Sequence, residues 1–251
     1  METTLSNQEP QTKPDTVEPP SDCRSGSILC SLPSPFYDKD GITIYHRDCR
    51  DILPALSEFD VLLTDPPYGV GLTHKQHKWF RQNGNGYAST TDDAAAVNVA
   101  VEVISQIVAT GQRCVLTPCT RHAWKYPQPV AVDCAFNKAG AGMHSWGFQC
   151  GHLILYYGKD PKRPGCYPSG YEQHPNDTAP KNGHPCPKPE RFWKWLTERV
   201  SVEGELIVDP FMGSGTTLWT AKLLGRRAVG IEIEERYCEI AANRLAQGVL
   251  F

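Results

Sequence analysis

A strand, a glycine turn, a helix and a second strand ending in an acid succeed one another over residues 205–232, and this unit narrows the fold more than any other stretch. Glu205-Leu206-Ile207-Val208 reads as a strand. It runs into Asp209-Pro210-Phe211-Met212-Gly213-Ser214-Gly215-Thr216-Thr217 and a helix expected to reach residue 224. Arg227-Ala228-Val229-Gly230-Ile231 is the next strand, and it ends at Glu232. Strand, glycine turn and helix bring backbone amides and a helix N-terminus against a ligand. The turn lacks the lysine of GxxxxGK[ST], which excludes a P-loop. An acid some twenty residues past such a turn, at the tip of the adjacent strand, fits a bidentate contact to ribose hydroxyls. Turn and acid together point to a nucleoside-containing cofactor.

A second strand end carries the other informative chemistry. Val61-Leu62-Leu63-Thr64 has no polar face and reads as a buried strand. Asp65-Pro66-Pro67-Tyr68 follows. Neither proline offers an N–H, each fixes φ, and the first keeps residue 65 out of the α region. A stiff tetrapeptide therefore projects from the carboxyl end of a strand, where open α/β sheets place their ligands. It bears a carboxylate, a carbonyl and an aromatic ring. Such a group can accept two hydrogen bonds from an exocyclic amine and stack on the base that carries it.

The rest of the chain supplies an α/β frame. Strands are expected over 42–45, 114–117, 131–137 and 151–157, with a short helix over 51–56 joining the first strand to the one that carries Asp65 as a parallel unit. Asp92 and Asp93 open a helix in which Val97, Val101, Ile104 and Val108 share a face, and Gly111 stops it. Pro189 begins another at its first position, with Phe192, Trp195, Leu196 and Val200 on one side. The last helix carries Tyr237, Ile240, Ala241 and Leu245 on its core face. Residues 1–35 are rich in Pro, Ser, Thr and Glu and read as a disordered tail. Two polar stretches, 69–91 and 159–186, are too long for plain connections. The first, with His74, Lys75, Trp79 and Arg81, adjoins the projecting tetrapeptide and reads as a contacting or closing loop, with a plain surface excursion as the alternative.

Composition sets limits. With 251 residues and 40% hydrophobic content, the chain is long enough for one large domain, read as 36–251. Its net charge of −3 is unevenly spread: ten Lys and Arg face five Asp and Glu over 119–194. A basic, aromatic-rich middle on an acidic scaffold suits a polyanion. The ten cysteines form no CxxC pair and read as free thiols, with no metal site. No apolar run has the length of a membrane span, so a soluble, cytoplasmic protein without membrane contact is expected.

Four motifs now stand in order, and they resemble those of amino-group DNA methyltransferases, which use S-adenosylmethionine to methylate adenine N6 or cytosine N4. Asp65-Pro66-Pro67-Tyr68 resembles their catalytic motif, Asp209 to Thr217 their cofactor loop DPFxGSGTT, and Gly230-Ile231-Glu232 their ribose-binding strand end. His184-Pro185-Cys186-Pro187-Lys188-Pro189 is similar to the HPxxKP segment of one subgroup, with Cys186 and Pro187 at its centre. The catalytic motif precedes the cofactor loop, the permuted order of the β subgroup. Guanine-N2 RNA methyltransferases carry a similar tetrapeptide after that loop.

The resemblance implies a Rossmann-like, seven-stranded, mostly parallel methyltransferase sheet in circularly permuted order, entered at its third strand. It implies that Asp65 and the Pro66 carbonyl bind the target amine and that Tyr68 stacks on a flipped base. Asp209, Phe211, Gly213, Ser214, Gly215, Thr216 and Glu232 would line the cofactor. Asp48 and Cys49 would meet its adenine end, although Arg47 replaces the usual glycine and Asp48 reads equally as a helix cap. His184 and Lys188 would lie near its methionine end, or else anchor the loop before the next helix. Recognition falls to 69–91 and 119–186, where Arg121, His122, Trp124, Lys125, Lys162 and Arg163 can meet phosphates or bases or serve as solvated surface. The expected activity is adenine-N6 methylation of double-stranded DNA, because residue 65 is Asp rather than Ser. The alternatives are cytosine-N4 methylation and a catalytically silent DNA-binding subunit. A homodimer and a partner endonuclease stay open as further partners.

Overall fold

The computed structural model describes residues 32–56, 58–69, 93–136, 142–144, 147–149, 151–160, 171–172 and 188–247. Residues 1–31 of the expected tail over 1–35, residues 70–91 of the loop over 69–91, His184, Lys162, Arg163 and most of 159–186 lie outside the described residues.

Five parallel strands form the centre of the sheet. They are β2 (Ile42–His46), β3 (Val61–Thr64), β4 (Arg113–Leu116), β10 (Leu206–Asp209) and β11 (Arg227–Glu232). Their spatial order is β2-β11-β10-β3-β4, every neighbouring pair parallel. Beyond β4 lie β8 (Gly151–Tyr157) and β5 (Ala131–Phe136), each antiparallel to its inner neighbour. These seven strands are the expected sheet, and the chain enters it at β2, beside β11 rather than at its centre.

Two short edge strands bring the described sheet to nine instead of seven. One is β1 (Tyr37–Lys39), antiparallel to β2. Asp40 and Gly41 both take positive φ, 55° and 76°, the two-residue turn that suits the twist of a hairpin. The other is β9 (Tyr171–Glu172), paired with β5 inside the stretch read as loop. A further correction concerns the glycine-rich turn between β5 and β8, which holds a ribbon of β6 (Gly142–His144) and β7 (Gly147–Gln149). Strands of two or three residues are too short for an apolar pattern to announce them.

Alternation along the strands divides the core. Val61, Leu63, Ile207 and Ala228 point to one face, against α3 (Glu190–Val200), α4 (Thr216–Leu223) and α5 (Glu235–Ala246). Leu62, Val208, Val229 and Ile231 point to the other, where α1 (Cys49–Ile52) and α2 (Ala94–Ala109) pack. Both faces are covered, which explains why the strands lack a polar side. Helix α2 starts at its Asp93 cap, whose side chain accepts from the Ala96 N–H. It buries Val97, Ala100, Val103 and Ile104, so Val101 and Val108 sit at the margin of the expected stripe. Helix α3 is capped by Pro189 and buries Trp193, while Trp195 is only part-buried against Tyr171 and Phe192.

Gly215 shows how tightly the glycine turn is packed. Its φ is +75°, and a Cβ there would stand 2.8 Å from the Ala241 Cβ and 3.4 Å from its Cα. Gly204 also has positive φ, +82°, but nothing within 4 Å of such a Cβ. Gly204→Ala should therefore cost about 1 kcal/mol, the conformational term alone. Gly215→Ala should cost about 2–4 kcal/mol, because the α4–α5 contact is added. Urea unfolding midpoints of the two variants measure the difference.

Candidate active site

Strand β10 leads through α4 to β11 on one side, and β3 leads through α2 to β4 on the other. The connections reverse direction between β10 and β3, and ligands of open α/β sheets bind at such a point. The pairing itself opens there. Ile207 pairs with Val61 and Val208 with Leu62, but the ladder goes no further. Past it, the Thr64 hydroxyl donates to Asp209 Oδ1 at 2.6 Å, and side chains hold the two strand ends in place of backbone.

Asp209 is the hub of this junction. It is 2% exposed. Its Oδ1 also accepts the Phe211 N–H at 3.1 Å, and its Oδ2 accepts the Thr217 hydroxyl. Thr217 in turn accepts the Trp193 indole N–H at 2.8 Å, which ties α3 to the glycine turn. No cation pairs with Asp209 among the described residues, and burial pushes its carboxyl up to about 6 against the three hydrogen bonds. With both oxygens taken up by protein donors, this carboxylate shapes the turn from beneath.

Above it, the turn and the end of β11 face each other. Glu232 Oε2 accepts the Gly213 N–H at 3.0 Å, and its Oε1 accepts the Glu234 N–H at 2.9 Å. Burial raises this carboxyl to about 7. A carboxylate offers about four acceptor sites, so these backbone donors leave acceptor capacity for a hydroxyl. Ser214 and Thr216 are buried in the turn, and Phe211 packs half-buried below it. The end of β2 lies alongside, since the Arg47 N–H donates to the Glu232 carbonyl at 3.0 Å. Asp48 there caps α1, accepting the Arg50 N–H at 2.9 Å, and both its oxygens bind the Arg50 guanidinium. That guanidinium holds the Asp48 carboxyl below the usual carboxylate range. Cys49 is buried, and its thiol is pushed up to about 12, chiefly by burial.

The Asp65 end forms a second cluster. Asp65 Oδ1 accepts the Thr117 hydroxyl at 2.7 Å and the Tyr68 hydroxyl at 2.8 Å. Asp65 Oδ2 accepts the Lys188 ammonium. Lys188 also donates to the Tyr68 hydroxyl at 2.9 Å and lies 4.7 Å from the ring centroid. Its side chain is 7% exposed, so this pair is largely withdrawn from water. Three of the roughly four acceptor sites on Asp65 are filled, which fixes the plane of the carboxylate and leaves one site open. Among the described residues no N–H or O–H reaches the Pro66 carbonyl. His152 on β8 borders the cluster, its ring stacked on Phe192 with centroids 6.3 Å apart. Burial, reinforced by the Lys188 charge, lowers its pKa to about 4, so it is neutral at pH 7.

The expected residues thus gather in two clusters at one end of the sheet, with Lys188 on the Asp65 side rather than on the glycine turn. Thr64, Thr117, Trp193 and His152 escaped the sequence reading. The signal for the first two was present, because a lone threonine stands at the carboxyl end of β3 and another directly after β4. No pattern marks Trp193 or His152, whose partners come from distant segments.

Known proteins resemble this chain in sequence and fold. The DNA methylase family profile matches residues 164–243. The type II methyltransferase M.ScaI of Streptomyces caespitosus is 26% identical over 266 residues, covering 89% of this chain and 88% of that protein. The type II methyltransferase M2.DpnII of Streptococcus pneumoniae is 48% identical over 62 residues, or 25% of this chain and 23% of that protein. Among solved structures, the M1.HpyAVI–SAM complex has a TM-score of 0.59 at 19% identity, covering 82% of this chain and 99% of that one. The PvuII cytosine-N4-specific DNA methyltransferase has a TM-score of 0.61 at 13% identity, covering 86% and 90%. Fold, motif order and the matched relatives are all similar to those of the amino-group DNA methyltransferases. The Rossmann-like, mostly parallel sheet is the one this class implies.

The buried Asp209 generates a pH signature. Its folded pKa, about 6, lies above the ordinary value of 3.8. The native state therefore holds this proton more tightly, and the contribution is fully present below pH 3.8 and lost as pH rises through 6. Across that window wild-type stability should fall relative to Asp209→Asn by on the order of 1–3 kcal/mol. Urea midpoints of both proteins at pH 4.5 and 7.5 measure the change in the gap.

Proposed function

We propose that the chain transfers the methyl group of S-adenosylmethionine to the exocyclic N6 of adenine in double-stranded DNA. The observation that carries this reading is a carboxylate fixed by three donors, with one acceptor site left and the Pro66 carbonyl next in the chain. Amino-group methylation of DNA, at N6 of adenine or N4 of cytosine, is supported by the matched family profile and relatives. The choice of adenine rests on the likeness of Asp65 to the adenine form of the motif.

The cofactor fits the residues present. Glu232 keeps acceptor capacity for the ribose hydroxyls beside the glycine turn, and Gly213, Ser214, Gly215 and Thr216 border the methionine and ribose side, with Asp209 and Phe211 supporting them. The Asp48-Cys49 segment adjoins Glu232 and suits the adenine end. When bound, the cofactor supplies a methyl group on a sulfonium, open to attack by a neutral nitrogen.

The protein's part is orientation and charge. Asp65 and the Pro66 carbonyl each accept an N–H of the target amine, which draws the nitrogen toward tetrahedral geometry and aims its lone pair. The Asp65 charge complements the positive charge that grows on that nitrogen, with no covalent enzyme intermediate. A paired base cannot enter such a pocket, so the adenine leaves the stack and lies against Tyr68. Thr117 and Lys188 orient Asp65, and these contacts support a role for Lys188 in methyl transfer.

Two experiments test the reading. Duplex DNA methylated by the purified chain, digested to nucleosides and weighed, should contain N6-methyladenine, and Asp65→Ala should abolish it while S-adenosylmethionine still binds in calorimetry. N4-methylcytosine as the sole product would give the cytosine reading, and cofactor and DNA binding without any transfer would give a silent subunit. Lys188→Met should lower kcat roughly 10–100-fold, the loss of one charge-assisted hydrogen bond, with cofactor affinity within about twofold of wild type. A matching loss of cofactor affinity would return Lys188 to the cofactor site.

A further inference from the structure

The segment that follows Thr117 holds the most exposed large apolar side chain among the described residues. Strand β4 ends at Leu116, Thr117 binds Asp65, and one helical turn (Ala123–Lys125) follows before β5. The turn is well anchored. The His122 N–H donates to the Cys119 carbonyl at 2.9 Å and the Lys125 N–H to the His122 carbonyl at 3.0 Å. Ala123 and Tyr126 are buried, 5% and 6% exposed, and the Tyr157 hydroxyl donates to the Pro127 carbonyl at 2.9 Å. Between these anchors Trp124 is 87% exposed.

The turn also adjoins the candidate amine clamp. Gly69 ends the Asp65-Pro66-Pro67-Tyr68 stretch with φ +64°, and a Cβ on it would lie 3.4 Å from His122 Nε2. Arg121 and Lys125 flank the indole, both exposed, with the Lys125 ammonium 3.5 Å from the Asn98 amide oxygen. An exposed indole on an anchored turn that also carries two exposed cations, beside a candidate site for a base, matches a partner that offers flat π-faces and regularly spaced negative charge.

We propose that the turn Ala123–Lys125 is a DNA-contacting element in which Trp124 stacks on a base next to the methylation target while Arg121 and Lys125 engage flanking phosphates. The assignment rests on the reading of the chain as a DNA methyltransferase. A second copy of the chain would meet the same two cations, and nothing of opposite charge stands on this turn to answer them. Duplex DNA answers both the ring and the charges.

The test uses the full chain with plasmid DNA from a methylation-deficient host and a fluorescein-labelled duplex cut from that plasmid. Trp124→Ala should raise KM for plasmid DNA and weaken duplex binding roughly tenfold, the scale of one lost base–aromatic stack, with S-adenosylmethionine affinity unchanged in calorimetry. Trp124→Phe should restore most of the affinity. Arg121→Gln combined with Lys125→Gln should reduce the slope of log affinity against log salt by about two. Unchanged DNA affinity in Trp124→Ala overturns the proposal. A shift from dimer to monomer in sedimentation, with DNA affinity retained, also overturns it and assigns the indole to a second copy. If the wild type binds duplex through Trp124 but transfers no methyl group, the activity reading fails and the surface stands. If it neither binds nor methylates DNA, both fail.

Discussion

The Thr64–Asp209 hydrogen bond holds the site together at the point where the sheet stops doing so. Backbone pairing between β3 and β10 ends at Leu62 and Val208, and beyond that the two strand ends are kept in register by a hydroxyl on a carboxylate. The same carboxylate binds Thr217 at the start of α4 and, through it, Trp193 of α3. One buried acid therefore ties two strands, a glycine turn and a helix on one face of the sheet. Its burial raises its pKa, so the junction carries an electrostatic cost that three hydrogen bonds offset in part.

That junction separates two jobs. On the β10 side, Glu232 accepts from the glycine turn and from Glu234 and closes the turn against the end of β11. On the β3 side, Thr117, Tyr68 and Lys188 fix Asp65 so that one acceptor direction remains. The permuted chain order does not disturb this, because β2 simply enters beside β11 while β3 and β10 stay neighbours. Geometry at a switch point depends on which strands are adjacent, and the order in which the chain visits them is free to change.

Much of this was legible in advance. The run 61–64 has no polar face and reads as a buried strand, 205–208 and 227–231 read as strands, and the proline pair and glycine turn had to end two of the three. The expected helix faces were less accurate. In α3 the spacing favoured Trp195, yet Trp193 is the buried ring, because an indole N–H that finds Thr217 is better satisfied inside than the pattern alone suggests. In α2 the buried stripe passes through Ala100 and Val103, which the spacing of larger aliphatic residues left out. The edge strands β1 and β9 were invisible, being shorter than any period.

The sequence by itself determined the α/β class, the two strand ends that bear chemistry, their permuted order and the residue types offered at each, because these follow from local pattern and backbone constraint. Only the tertiary structure decided which side chains complete them. Lys188 lies 123 residues from Asp65 and reaches its carboxylate, Asp209 serves the junction with both oxygens taken, and Asp48 is a helix cap bound to Arg50. Such partnerships depend on where distant segments meet in space, and neither spacing nor composition records that.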